Sequence, residues 1–80
     1  MTDQEILAAM TRVLRDLLMN ESIDLDMQTR RSDVPGWDSF MYVNFIVAVE
    51  QDLKVKFNIA EVEAFETVGD IVAAVHSLRS

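Results

Sequence analysis

The sequence predicts an all-α fold, an antiparallel bundle of three main helices plus one short helix, with a long first loop. Three observations point there. Apolar residues recur at helical spacing in three stretches, within 6–18, 40–53 and 68–78. A capping residue stands before each: Thr2, Asp38 and Thr67. The connections after the second stretch are short, whereas 22–37 holds no sustained helical period.

Taken in order, Thr2-Asp3-Gln4-Glu5 reads as a capping box, with Glu5 able to reach back to the Thr2 N–H. Ile6, Leu7, Met10, Val13, Leu14, Leu17 and Leu18 follow at helical spacing, and Arg12, Arg15 and Asp16 lie off that stripe. The first helix is expected from Asp3 to about Met19. In 22–37 the apolar residues are scattered: Ile23, Leu25, Met27, Val34 and Trp37. They are expected to pin the loop across the helix ends. Pro35-Gly36 is a turn signal, and Pro35 disfavours helix at Val34. Asp24-x-Asp26 does not make a calcium loop, because Thr29 stands where the sharp-turn glycine belongs and Pro35 where the bidentate glutamate belongs.

The second helix is expected from Ser39 to about Leu53, with Asp38 as its cap and Lys54 and Lys56 suiting its negative C-terminal end. Val55, Phe57 and Ile59 alternate with polar residues, which reads as an extended connection with its apolar side chains tucked in. Ala60 to Ala64 forms one short helical turn anchored by Val62 and Phe65. Thr67 caps the last helix, Asp70 acts as the short version of the capping-box acid, and Val68, Ile71, Val72, Val75 and Leu78 make the apolar stripe. Gly69 costs less in a first turn than the roughly 1 kcal/mol of a helix interior.

Eighty residues make one domain, over 1–80. There is no cysteine, hence no disulfide, thiolate metal site or cysteine nucleophile. No signal peptide is read at the start, and the run from Phe40 to Val49, broken by Asn44, is too short to cross a bilayer. A cytoplasmic monomer with no membrane insertion is expected. Fourteen acids against seven Lys and Arg give a formal charge of −7. That balance opposes nucleic-acid binding and suits docking on basic patches of other proteins.

On a wheel at about 100° per residue, the second helix carries two apolar sets. Tyr42, Phe45, Ile46, Val49 and Leu53 form a core stripe. Phe40, Val43 and Val47 share a face with Ser39, bordered by Asn44, Glu50 and Gln51. That second set is either a partner surface or a sign that the helix is buried on several sides. Ser39 falls in the first turn, where free backbone N–H groups and the macrodipole favour a phosphate.

At Gly36, Asp38 and Ser39 the sequence resembles the acyl carrier protein family, which carries Asp-Ser-Leu at the start of its second helix; Phe40 stands in place of the leucine. Asp-Ser alone is common, but the helix lengths, the short third helix and the Thr-Val opening of the last helix extend the resemblance over about Thr2 to Leu78. It implies that Ser39 receives 4′-phosphopantetheine, whose thiol holds an acyl group as a thioester. It also implies that Asp38 helps present the serine to a phosphopantetheinyl transferase, besides capping the helix. No catalytic residue and no metal ligand of the chain's own is expected. An acyl ligase or acyltransferase and downstream synthase enzymes complete the implied partners, with Phe40, Val43, Asn44, Val47, Glu50 and Gln51 as their docking face.

Two departures matter. The serine face lacks the dense acids of fatty-acid carriers, with Glu50 as its main acid, and Arg30 and Arg31 add positive charge or simply a solvated stretch to the loop. Gly-Trp-Asp-Ser resembles stand-alone carriers of specialised pathways, with Trp37 read as packing in preference to docking. Two other functions stay open: an aminoacyl or peptidyl carrier of the same fold, and an unmodified helical adaptor binding through Phe40, Val43 and Val47. If the bundle opens a cleft for an acyl chain, it is expected between the second helix and the two after it, lined by Phe45, Ile46, Val49, Val62, Phe65 and Ile71; the alternative is that the bulk of Phe45 and Phe65 fills that space.

Overall fold

Helix α1 spans Asp3–Leu18 in a computed structural model of the chain, which describes residues 1–79. Its capping box forms as predicted. Thr2 Oγ1 accepts from the Glu5 N–H at 3.1 Å, and Glu5 Oε1 accepts from the Thr2 N–H at 2.8 Å. The helix ends one residue before the expected Met19. Met19 turns left-handed (φ 52), its N–H donates to the Asp16 carbonyl, and the Asn20 N–H donates to that of Arg15. This pair of bonds is a Schellman stop, which usually uses glycine at the left-handed position.

The connection to α2 is fixed to both its neighbours. Ile23, Leu25, Val34 and Trp37 are buried as expected, but Met27 is not: its side chain stays 37% exposed. Met27 holds the loop through its backbone instead. Its carbonyl accepts from the Gly69 N–H at 2.8 Å, and the Thr29 carbonyl accepts from the Val68 N–H at 2.8 Å. Gly69 is therefore more than a tolerated cost, because a Cβ there would lie 2.5 Å from the Met27 oxygen. Arg15 reaches back to the Ile23 carbonyl at 2.6 Å and to Asp24 at 3.1 Å. A 3-10 turn at Arg31–Asp33, which no periodicity announced, is closed by Asp33 Oδ2 accepting from the Arg30 N–H at 2.9 Å. Pro35-Gly36 makes the turn it signals: Gly36 has φ +86 and the Trp37 N–H donates to the Val34 carbonyl at 3.2 Å.

Helix α2 spans Ser39–Leu53, α3 Ile59–Ala64 and α4 Val68–Arg79. With α1 they form an all-helical bundle, and no strand occurs among the described residues. α2 ends on left-handed Lys54 (φ 57), whose N–H donates to the Glu50 carbonyl, as does that of Val55 at 3.1 Å. In the connection that follows, Phe57 is buried and Val55 half-buried, but Ile59 is 78% exposed and not tucked in. The reason is a capping box at Asn58 and Glu61, which starts α3 at Ile59 and turns that side chain out of the extended path. At α4, Asp70 Oδ2 accepts from the Glu66 and Thr67 N–H groups at 2.9 and 3.2 Å, and Thr67 Oγ1 accepts from the Asp70 N–H at 3.2 Å. The α4 stripe buries Val68, Ile71, Val72 and Val75; Leu78, expected with them, is 46% exposed at the end of the helix.

α1 packs against both α2 and α4. Ile6, Met10, Leu14, Phe45, Val49, Val68, Val72 and Val75 are the fully buried side chains at their junction. No described polar or charged residue is buried there, so the core is held by apolar burial, at roughly 1.5–3 kcal/mol for each large side chain. At the edges, His76 Nδ1 lies 3.2 Å from Asp3, tying the end of α4 to the start of α1. Arg79 donates to the Leu53 carbonyl, closing α4 onto the end of α2.

Candidate functional site

Ser39 is the first residue of α2 and is exposed. Asp38 sets its position. The Asp38 Oδ1 accepts from the Met41 N–H at 2.9 Å, and the Asp38 carbonyl accepts from the Tyr42 N–H at 2.8 Å. These bonds use the third and fourth amides of the helix, so those of Ser39 and Phe40 lie ahead of them at the positive end of the dipole. No acidic residue sits in the first turn of α2. A phosphate esterified to Ser39 thus meets helix N–H groups. The nearest acid along the chain is the capping Asp38 itself, whose carboxylate is engaged by the Met41 N–H.

A cleft of about 540 Å³ opens beside Ser39, between α2, α3, the start of α4 and the loop before α2. The sequence located it correctly but gave it the wrong lining. Val62, Phe65 and Ile71 line it as expected; Phe45, Ile46 and Val49 do not, because they are sealed in the core at 0, 4 and 0% exposure. Their place is taken by Trp37, Tyr42 and Val43, with Arg30 and Arg31 also among the lining residues. Tyr42 braces the cleft: its hydroxyl donates to the Val62 carbonyl at 2.8 Å and joins α2 to α3. Burial pushes the Tyr42 phenol above its ordinary pKa, and the Arg31 guanidinium, 5.2 Å from its ring centroid, partly offsets that. Arg30 pairs with Glu66 at 3.6 Å. The two arginines therefore engage the cleft wall and are not simply solvated.

Trp37 packs, as the sequence favoured. It is 4% exposed, edge-on to Phe45 at 5.0 Å and tilted to Tyr42 at 6.3 Å. Its indole Nε1 is buried without a hydrogen-bond partner among the described residues. Neither that orphan nor the bracing role of Tyr42 has a sequence signature beyond the residue types.

The residues read as a docking face part company in three dimensions. Phe40, Val43 and Val47 are 72, 57 and 45% exposed, so the second apolar set of α2 is on the surface. Asn44 is half-buried, its amide 3.9 Å from Met41 Sδ. Glu50 is half-buried too, and its carboxylate accepts from the Phe57 N–H at 2.8 Å, which holds the connection after α2. Gln51 is exposed and borders a shallow groove with Val13, Asp16 and Leu17 of α1.

The fold and the helix-borne serine define a class of small helical proteins that carry a covalently attached arm. Residues 4–75 match the family model of the phosphopantetheine attachment site. Among solved structures, the solution NMR structure of the holo acyl carrier protein from Geobacter metallireducens is similar, with 33% identity, a TM-score of 0.84, and coverage of 91% of this chain and 84% of that one. No curated protein matches the sequence. The chain belongs to the acyl carrier protein family: it is a carrier and not a catalyst, and its cofactor is covalently attached phosphopantetheine. Carriers of this type work with a phosphopantetheinyl transferase and acyl-handling enzymes. Membership removes the unmodified adaptor from the alternatives. No described helix is long and apolar enough to cross a membrane.

Proposed function

We propose that Ser39 is the residue that carries the arm, and that this is a cytoplasmic, monomeric carrier domain serving a specialised pathway. The observation that carries the reading is an exposed serine at the first position of α2, capped by Asp38 and opening on the cleft. In attachment, Ser39 Oγ displaces 3′,5′-ADP from coenzyme A. An O–P bond forms, the pyrophosphate P–O bond breaks, and the hydroxyl proton leaves to the transferase. The arm, once bound, supplies a thiol that holds cargo as a thioester. Asp38 keeps the first turn rigid, at about 1 kcal/mol for such a cap, and so holds Ser39 in the geometry the transferase reads.

The exposed apolar triad Phe40, Val43 and Val47 supports a docking face beside the serine, in a position any enzyme reaching the arm must cover. An apolar face in place of a dense acidic one favours a dedicated ligase or acyltransferase, and the synthase enzymes after it, over the partners of central fatty-acid synthesis. An aminoacyl or peptidyl cargo would use the same geometry. The net charge of −7 disfavours nucleic acid as a partner. The test is incubation with coenzyme A and a broad-specificity transferase, read by intact mass. One phosphopantetheinyl group should add to the wild type and none to a folded Ser39→Ala variant. An unmodified wild type with several transferases, or a modified variant, overturns the reading.

A further inference from the structure

The geometry points to Trp37 as the hydrogen-bond donor for a carbonyl oxygen taken into the cleft, which makes the cleft selective for oxygenated chains over saturated ones. The inference rests on the reading that the arm starts at Ser39, beside the same cleft. Its basis is an imbalance among the polar groups around that space. The Tyr42 hydroxyl is spent on the Val62 carbonyl. Thr67 Oγ1 accepts from the Asp70 N–H, and Arg30 is paired with Glu66. The Trp37 Nε1–H is different: it is buried, it has no partner among the described residues, and its side chain lines the cleft. A buried donor without an acceptor carries its full desolvation penalty, and such groups in a folded protein call for an explanation.

The ring system of Trp37 packs on Phe45 and Tyr42. Besides its larger surface, indole adds one directed N–H that a phenyl ring lacks. Val62, Phe65, Val68 and Ile71 are apolar lining residues that offer no side-chain acceptor, while polar residues, Ser39 and Glu63 among them, also line the cleft. A saturated chain entering here buries its methylenes and leaves the orphan unsatisfied. A chain with a keto or amide carbonyl buries comparable surface and supplies the missing acceptor. Because the Nε1 atom is itself sealed, side chains around it must shift before an oxygen reaches it. Two sources share this chemistry: an oxo group on the cargo and an amide carbonyl of the arm itself.

Trp37 is the only tryptophan in the chain, so its indole N–H gives one assignable NMR signal. The experiment compares four forms, each checked by intact mass: unmodified, arm-bearing, hexanoyl-loaded and 3-oxohexanoyl-loaded protein. A downfield move of the indole proton with 3-oxohexanoyl but not with hexanoyl assigns the acceptor to the cargo. The same move already in the arm-bearing form assigns it to the arm and overturns the selectivity for oxygenated cargo. No downfield move in any form, or an equal move with hexanoyl alone, overturns the proposal. Trp37→Phe gives an independent reading. The melting-temperature advantage of 3-oxohexanoyl over hexanoyl that the proposal predicts for the wild type should vanish; its absence from the wild type, or its persistence in the variant, also overturns the proposal. Should that variant not fold, the wild-type NMR series decides alone. If Ser39 takes no arm, the failure is of the attachment reading; Trp37 is then tested by adding free hexanoyl and 3-oxohexanoyl thioesters of N-acetylcysteamine and following the same proton.

Discussion

The two faces of α2 are made of the same kinds of residue and meet opposite surroundings. Phe45 and Val49 are 0% exposed, whereas Phe40, Val43 and Val47 are 72, 57 and 45% exposed. α1 offers the contrast. Its large apolar residues from Ile6 to Leu18 are all buried or half-buried, and only the small Ala8 joins the polar residues on the outer face. Every large apolar residue of that stretch of α1 thus contributes to folding. On α2 seven of ten apolar residues do, and the other three, Phe40, Val43 and Val47, stand exposed beside Ser39 with no described residue sealing them. The difference shows that hydrophobicity on this helix does two jobs, and that a single substitution can separate them.

The largest expected effect is on the inner face. Val49→Asp puts a charge where no water and no partner can reach it, a cost of several kcal/mol, against a total stability of only a few kcal/mol for a domain this small. Circular dichroism should show loss of the cooperative melt; a folded variant would mean that the inner face is not the core. Val47→Asp, two residues away, tests the outer face. Its stability should stay within about 1 kcal/mol of wild type, as surface changes do. The kcat/KM of the transferase should fall tenfold or more, at roughly 1.4 kcal/mol per tenfold. Unfolding like that of Val49→Asp would make the second face core, and an unchanged rate would show that the transferase does not use it.

The smallest effect serves as a control away from both faces. Backbone N–H groups of Glu66 and Thr67 hold the Asp70 carboxyl below its ordinary pKa. A carboxyl depressed in the folded state stabilises it above the ordinary carboxylate range and loses that contribution as pH falls through the lower, folded value. Asp70→Ala should therefore be slightly less stable than wild type at neutral pH. In urea titrations the gap should close in acid. Its modification rate at neutral pH should match wild type, since nothing on α2 changes.

The helices were legible because their signals are local. Thr2 with Glu5, Asp38 before Ser39, and Thr67 with Asp70 each cap the helix they announced. What escaped depends on neighbours distant in sequence. Nothing in a wheel says where covering helices stop, so Leu78 read as buried and is exposed; Ile59 read as tucked in because the alternation hid the Asn58 capping box that turns it out. Left-handed Met19 and Lys54 end helices without the glycine that usually marks such stops. Gly69 read as a mild cost because the Met27 carbonyl that requires it lies over forty residues earlier in the chain. At the candidate site, the serine, its cap and the position of the cleft were readable. The cleft's wall was not: which of Tyr42, Phe45, Ile46 and Val49 face it depends on small rotations of α2 against α3, and only Tyr42 does.

The central claim is that the arm sits on Ser39, and peptide mapping of the modified protein tests it most directly. Tryptic cleavage after Arg31 and Lys54 gives the peptide 32–54, which contains two serines, Ser32 in the 3-10 turn and Ser39 at the start of α2. The account predicts that this peptide carries the whole phosphopantetheinyl mass and that fragment ions bracket it at Ser39. An added mass on Ser32, or on any peptide outside 32–54, would contradict it.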